Sequence, residues 1–176
     1  FDGADLRKAN LSVSNLEGAM FRNAKMQETN LFDANLNRAN FDNCEAAGAN
    51  FMKADLTAAA FTRAKLQHSR WQGAKVNQTL MKGADLSDAI FRQAEISDAV
   101  WDGAIAPKID LSNCRIQKSS FRNAQMERIK VNESEITDCD FGDAVLSNTD
   151  FRFAKIKACN FSHAKLENSL FFKQTL

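Results

Sequence analysis

The sequence predicts an all-β solenoid, a chain wound into stacked coils of 20 residues, and three observations carry that prediction. First, stepping by five from Phe1 reaches 36 positions, the last being Leu176, and not one of them is polar. Against an apolar background of 44%, that outcome has a chance probability of roughly 10⁻¹³, so the period is a physical constraint. Second, the position two before each of these is small: of 35 such sites 20 are Ala, 5 Ser, 4 Cys and 3 Thr, leaving Ile109, Ile129 and Gln174. Third, turn-forming residues recur at the same period, with Asn or Asp just before the large residue and Gly3, Gly18, Gly48, Gly73, Gly83 and Gly103 two after it.

A period of five matches neither the 3.6 of a helix nor the 2 of a strand, so neither element can place every large residue on one side. The chain must turn every five residues. Four turns close a square coil whose large and small positions point inward while the other three face water. The stretches Ala4-Asp5-Leu6, Ala34-Asn35-Leu36, Ala39-Asn40-Phe41, Ala49-Asn50-Phe51, Ala54-Asp55-Leu56 and Ala84-Asp85-Leu86 read A-[DN]-L-x-x. In this motif, kept in register over the whole chain, the sequence resembles the pentapeptide-repeat family. The resemblance implies a right-handed quadrilateral β-helix of about nine coils, here one domain over residues 1–176. The start at Phe1 in mid-repeat, without Met, predicts that this domain is part of a longer chain, and Gln174 at an inward small site predicts that the solenoid is ending there.

In coils of 20 residues, side chains 20 apart stack at about the 4.8 Å spacing of paired strands. One wall then reads Phe1, Phe21, Phe41, Phe61, Met81, Trp101, Phe121, Phe141, Phe161, and the opposite one Leu11, Leu31, Phe51, Trp71, Phe91, Leu111, Val131, Phe151, Phe171. The other two are aliphatic. Their outward columns alternate in charge, as in Asp5, Lys25, Glu45, Lys65, Asp85 and in Lys75, Glu95, Arg115, Glu135, Lys155. Exposed pairs of this kind contribute only about 0.2–1 kcal/mol each, so they act chiefly to hold register. Asn10, Asn30 and Asn50 are expected to stack as an amide ladder.

Composition narrows the function. The chain has 23 Lys and Arg against 22 Asp and Glu, a net charge of +1, without the basic excess of a nucleic-acid binder. No apolar run approaches the roughly 20 residues of a membrane-spanning helix. Cys44, Cys114, Cys139 and Cys159 all fall on the inward small position, which predicts free, buried thiols and a reducing, cytoplasmic setting. His68 and His163 occupy outward corners nearly five coils apart and cannot share a site with one another or with an inward Cys. Asp138, Asp140 and Asp143 lack the spacing of a calcium loop and read as a solvated face. No phosphate loop or metal-ligand spacing occurs, so neither an enzyme, a cofactor nor a small-molecule substrate is expected.

Departures from the repeat mark the remaining candidates. Across Ala104–Asp110, Ala106 replaces a large core residue, Pro107 removes a backbone donor and Ile109 replaces a small residue, with Ile129 stacked on Ile109. This reads as a compensated local bend. Ala60, Leu80 and Val100 form an outward apolar row, with Ile90 and Ile105 expected on the neighbouring walls, and are the candidate face for a protein partner. Phe32, Met52 and Phe153 are further apolar residues at outward positions. Leu170, Phe171, Phe172 and Leu176 are the candidate end-to-end contact of a homodimer formed through a terminal coil. The leading expectation is a non-enzymatic interaction or scaffold module, such as the repeat region of a bacterial effector delivered to a host cell. The alternative is a DNA-gyrase-binding protein of the quinolone-resistance type, since those relatives are similar in repeat and are proposed to imitate DNA. Charge opposes it: 20-residue coils give this chain a length of about 42 Å, over which B-DNA carries about 25 negative charges.

Overall fold

A tight turn recurs in most of the five-residue repeats. At the first, the Ala4 N–H donates to the Phe1 carbonyl at 3.0 Å and Gly3 has a φ of 67°, the arrangement of a type II turn. The computed structural model describes residues 1–171. From Gly3 to Asn168 the position two after the large residue is left-handed in 33 of 34 repeats, 6 with Gly and 27 with another residue. The left-handed region costs a non-glycine residue about 1–2 kcal/mol. Bonds between coils offset this, because the N–H of that residue donates to the coil above, as from Lys8 to the Gln27 carbonyl at 3.0 Å and from Arg63 to the Lys82 carbonyl at 3.0 Å.

Coils pair in parallel at an offset of 20 residues, along four ladders that begin Asp5–Lys25, Asn10–Asn30, Asn15–Asn35 and Met20–Asn40. On one wall the pairing lengthens into four short strands, β1 (Glu95–Ser97), β2 (Arg115–Gln117), β3 (Glu135–Thr137) and β4 (Lys155–Lys157), in one parallel sheet of that order. Their central residues are Ile96, Ile116, Ile136 and Ile156. Lower on the same wall the centres are Leu16, Leu36 and Leu56, each closed by a turn bond of 2.9–3.0 Å. The four strands coincide with Ile centres, whose β-branched side chains favour extended backbone, although Val76 of the same wall stays at an isolated bridge and Val131 elsewhere keeps its turn bond at 3.2 Å.

The Asn or Asp before each large residue has a definite task. All 13 of them accept, through the side-chain oxygen, the backbone N–H two residues on, as in Asn50 to Met52 at 3.2 Å and Asp85 to Ser87 at 3.0 Å. This caps the donor that the turn leaves outside the ladders. At three of the five steps where the wall of Ala60 lacks such a residue, a carboxylate one coil earlier takes over: Asp2 caps Arg22, Asp42 caps Thr62 and Asp102 caps Arg122, at 2.8–3.1 Å.

Inside, the aromatic residues stack as the columns predict. Phe21, Phe41 and Phe61 lie near-parallel with centroids 4.6–4.7 Å apart, and Phe51, Trp71 and Phe91 do the same across the lumen at 4.3–4.9 Å. The two stacks meet edge to face, Phe41 on Phe51 at 5.8 Å. The amide ladder is present, with Asn30 donating to Asn10 at 3.0 Å and Asn50 to Asn30 at 2.9 Å. Charge alternation is realised only in part: Lys65–Glu45 and Lys155–Glu135 pair at 2.9 Å, whereas Asp5 turns to Arg7 of its own coil at 2.6 Å.

Two sequence departures are explained by the backbone around them. Pro107 brings no cis peptide and no break in pairing. It fills the first central position of the turn from Ala106 to Ile109, where Pro is favoured, and the donor it lacks is the one that Asn or Asp caps elsewhere, a cap that Ile105 cannot supply. Ile109 is fully buried, filling volume that Ala106 leaves. The one position of the 34 that is not left-handed is Phe153, where a bulky residue is least tolerated. There the Glu133 N–H reaches the Phe153 carbonyl at 3.0 Å, one residue beyond its usual partner, and the ring is left 64% exposed.

Candidate functional site

The ladder Met20–Asn40–Ala60–Leu80–Val100–Ser120 carries six consecutive uncharged side chains on the outside of one wall. Charges follow only at Asp140. The two flanking walls carry instead Asp5 to Asp85 and Asp55 to Lys155, charged at every step. Leu80 is 47% exposed at the centre of the uncharged wall, with Ala60 and Val100 half-buried beside it. Ile105, 45% exposed, lies on the adjoining wall as expected. Ile90 does not: its ladder runs Arg70–Ile90–Asp110, on the wall opposite Leu80, so it cannot share a contact with that row. Its distance along the chain, ten residues from Leu80, is half a coil.

An open cleft borders the row at the corner formed by Thr62, Arg63, Lys82, Gly83, Asp102 and Gly103. Gly83 and Gly103 leave the cleft floor without side chains, and a Cβ at Gly103 would meet nothing within 4 Å. Neither Arg63 nor Lys82 is in an ion pair among the described residues, and the N–H groups of Lys82 and Asp102 lack the caps found along the rest of this corner. Periodicity alone did not single out this cleft. The signal for it was the loss of Asn or Asp at Leu80 and Val100 together with adjacent stacked glycines.

The other sequence candidates separate. Asp140 and Asp143 share Arg122, at 3.2 and 4.0 Å, while Asp138 sits at the next corner, its N–H bonded to the Lys157 carbonyl. Among the described residues no three His, Cys, Asp or Glu side chains are grouped to hold a metal, and no helix is long and apolar enough to cross a membrane. Leu170 is exposed and Phe171 stacks on Phe151 at 4.7 Å; Phe172 and Leu176 lie outside the described residues.

Burial pushes the Cys44 and Cys114 thiols up to about 12, as inward positions should. The two remaining thiols depart from that pattern: the adjoining Cys159 raises Cys139, and the adjoining Cys139 lowers Cys159. Asp110 is a further group that the sequence did not mark. Its carboxylate is nearly buried; burial raises its pKa, but bonds from Ser112 and from Arg92 at 2.6 Å outweigh this and leave it below the usual value.

The geometry of turn, cap and ladder agrees with comparison to known sequences. A family model described as pentapeptide repeat region matches residues 1–71, and one described as pentapeptide repeats (8 copies) matches residues 72–100 and 134–171. The chain belongs to the pentapeptide-repeat family. Between the two segments of the second match lie Ala106, Ile109 and Ile129, the residues that depart most from the family's pattern. No curated protein matches the sequence. Among solved structures, HetL, a pentapeptide-repeat protein involved in heterocyst differentiation regulation from the cyanobacterium Nostoc sp. strain PCC 7120, is similar at a TM-score of 0.66 and 19% identity, covering 95% of this chain and 86% of that one. A pentapeptide-repeat protein from the thylakoid lumen of Arabidopsis thaliana is similar over 52% of this chain and 63% of its own, at a TM-score of 0.51 and 26% identity. A trypsin-treated form of QnrB1, a plasmid-mediated fluoroquinolone resistance protein, covers 95% of this chain and 92% of its own at a TM-score of 0.49 and 15% identity. The likeness to HetL concerns the pentapeptide-repeat fold alone.

Proposed function

We propose that this pentapeptide-repeat chain is a non-enzymatic protein-binding module whose contact wall carries Ala60, Leu80 and Val100, with Ile105 at its edge. The observation behind this reading is the run of six uncharged outward side chains on a wall flanked by two charged ones. Removing water from a charged group is costly, so this is the wall a partner can cover at least cost. A right-handed winding and about nine coils, implied by the family resemblance, belong to the same proposal. DNA gyrase as the target, reached by imitating DNA, is the weaker reading: the net charge is +1, and Glu45, Asp110 and Glu135 are each paired with a basic side chain 18 or 20 residues away.

The test is the double substitution Leu80→Lys with Val100→Glu. Both side chains point outward, so circular dichroism and melting should match the parent, while proteins retained from a cell extract by the immobilised parent, and any self-association seen by sedimentation, should be lost. A dimer that survives this change but disappears on removal of residues 170–176 would place the contact at the terminal coil, and the wall would not be the interface.

A further inference from the structure

Two of the four thiols are built into one another. Cys139 and Cys159 occupy the same inward position 20 residues apart, on coils tied by the Asn160 N–H to the Cys139 carbonyl at 2.9 Å and by the β3–β4 pair Thr137↔Lys157. Residues in register on neighbouring strands lie about 4.8 Å apart, inside the roughly 4.4–6.8 Å Cα separation that a disulfide bridges. Cys44 has Ala24 and Ala64 as its stacked neighbours, and Cys114 has Ala94 and Ser134, so neither meets a second sulfur.

The two thiols are unequal. Cys139 is buried, while Cys159 is partly exposed. Their thiols lean on backbone carbonyls, Cys139 donating to Thr137 at 3.2 Å and Cys159 to Lys157 at 3.4 Å. The adjoining Cys139 side chain and backbone lower Cys159 below the ordinary thiol value, while the adjoining Cys159 and burial raise Cys139, with the charge of Asp138 opposing ionisation of both. A partly exposed sulfur with thiolate character beside a second thiol is the arrangement of an oxidisable cysteine and its resolving partner.

We propose that Cys159 is an oxidative modification site with Cys139 as its resolving thiol, hydrogen peroxide being the oxidant. The Cys159 thiolate attacks one peroxide oxygen, the O–O bond breaks, and the departing hydroxide takes up a proton, giving Cys159 sulfenic acid and water. The Cys139 sulfur then attacks the sulfenic sulfur; its proton and the leaving hydroxide form a second water, and a disulfide joins the two coils. Two electrons pass from the thiol pair to one peroxide. The product is a covalent staple between adjacent coils.

Trypsin cuts after Lys130, Arg152, Lys157 and Lys165, so the bond is read directly. Reduced protein is treated with an equivalent of hydrogen peroxide, denatured, alkylated and digested without reductant. Peptides 131–152 and 158–165 should appear joined and should separate on adding dithiothreitol, while peptides 39–53 and 109–115, holding Cys44 and Cys114, stay alkylated. In a Cys139→Ser variant, which places at this coil the Ser already present at position 119 of the same column, Cys159 should instead be trapped as its dimedone adduct. Recovery of both Cys139 and Cys159 as alkylated thiols overturns the proposal. So does a parent whose Cys159 advances to sulfinic acid with Cys139 free, or a cross-link between Cys159 residues of two molecules.

Discussion

Moving volume between two buried positions of one turn should cost far less than changing either alone. Leu86 and Ala89 are both fully buried, and the Ala89 N–H closes their turn on the Leu86 carbonyl at 3.0 Å. One coil above, the same two positions are Ala106 and Ile109, also fully buried. Ala89→Ile adds three carbons to a lumen without spare room, an overpacking cost of about 1–3 kcal/mol. Leu86→Ala removes three carbons and leaves a void, at about 2–5 kcal/mol. The double substitution conserves volume and copies the packing above it, so it should cost less than about 1.5 kcal/mol. At about 2–4 °C per kcal/mol for a chain of this size, the singles should melt about 2–12 °C and 4–20 °C below the parent, and the double within about 6 °C of it. Thermal melts of the four proteins complete the cycle. If the double melts below Leu86→Ala by the full cost of Ala89→Ile, the two sites are not coupled, and Ile109 is not filling the space that Ala106 leaves.

The two tryptophans offer a matched test. Trp71 donates to the Ser69 hydroxyl at 2.7 Å, but the Trp101 N–H is buried without a partner because its equivalent residue is Ala99; Ser69→Ala should therefore destabilise by about 1–3 kcal/mol and Ala99→Ser should stabilise by about 0.5–1.5 kcal/mol in denaturant titrations, and equal effects of one sign would refute the assignment. For Asp110 the sign follows from its lowered pKa: the stabilisation is full above the usual Asp value of 3.8 and is lost as pH falls through the lower folded value. Asp110→Asn should be less stable than the parent by about 1–3 kcal/mol at pH 7, with the gap closing below about pH 4 in melts across that range; a gap independent of pH would show that the charge contributes nothing.

The repeat was legible because an inward position in a narrow lumen tolerates few residues, so burial wrote itself into every fifth residue from Phe1. Inward and outward assignment, the aromatic stacks, the Asn10–Asn30–Asn50 ladder and the buried state of Cys44 and Cys114 all follow from that one constraint. Outward residues are under no such pressure, and their roles depend on which wall they reach. Ile90 and Leu80 look equivalent in a column of letters, yet half a coil puts them on opposite sides. What Asp42 does for Thr62, a cap supplied from the coil below, needs the stacked backbone to be seen. The Phe153 slip and the harmless Pro107 likewise turn on which N–H a particular turn leaves over. The inequality of Cys139 and Cys159 is the clearest case: identical residues at identical repeat positions, distinguished because the folded chain buries one and leaves the other partly exposed.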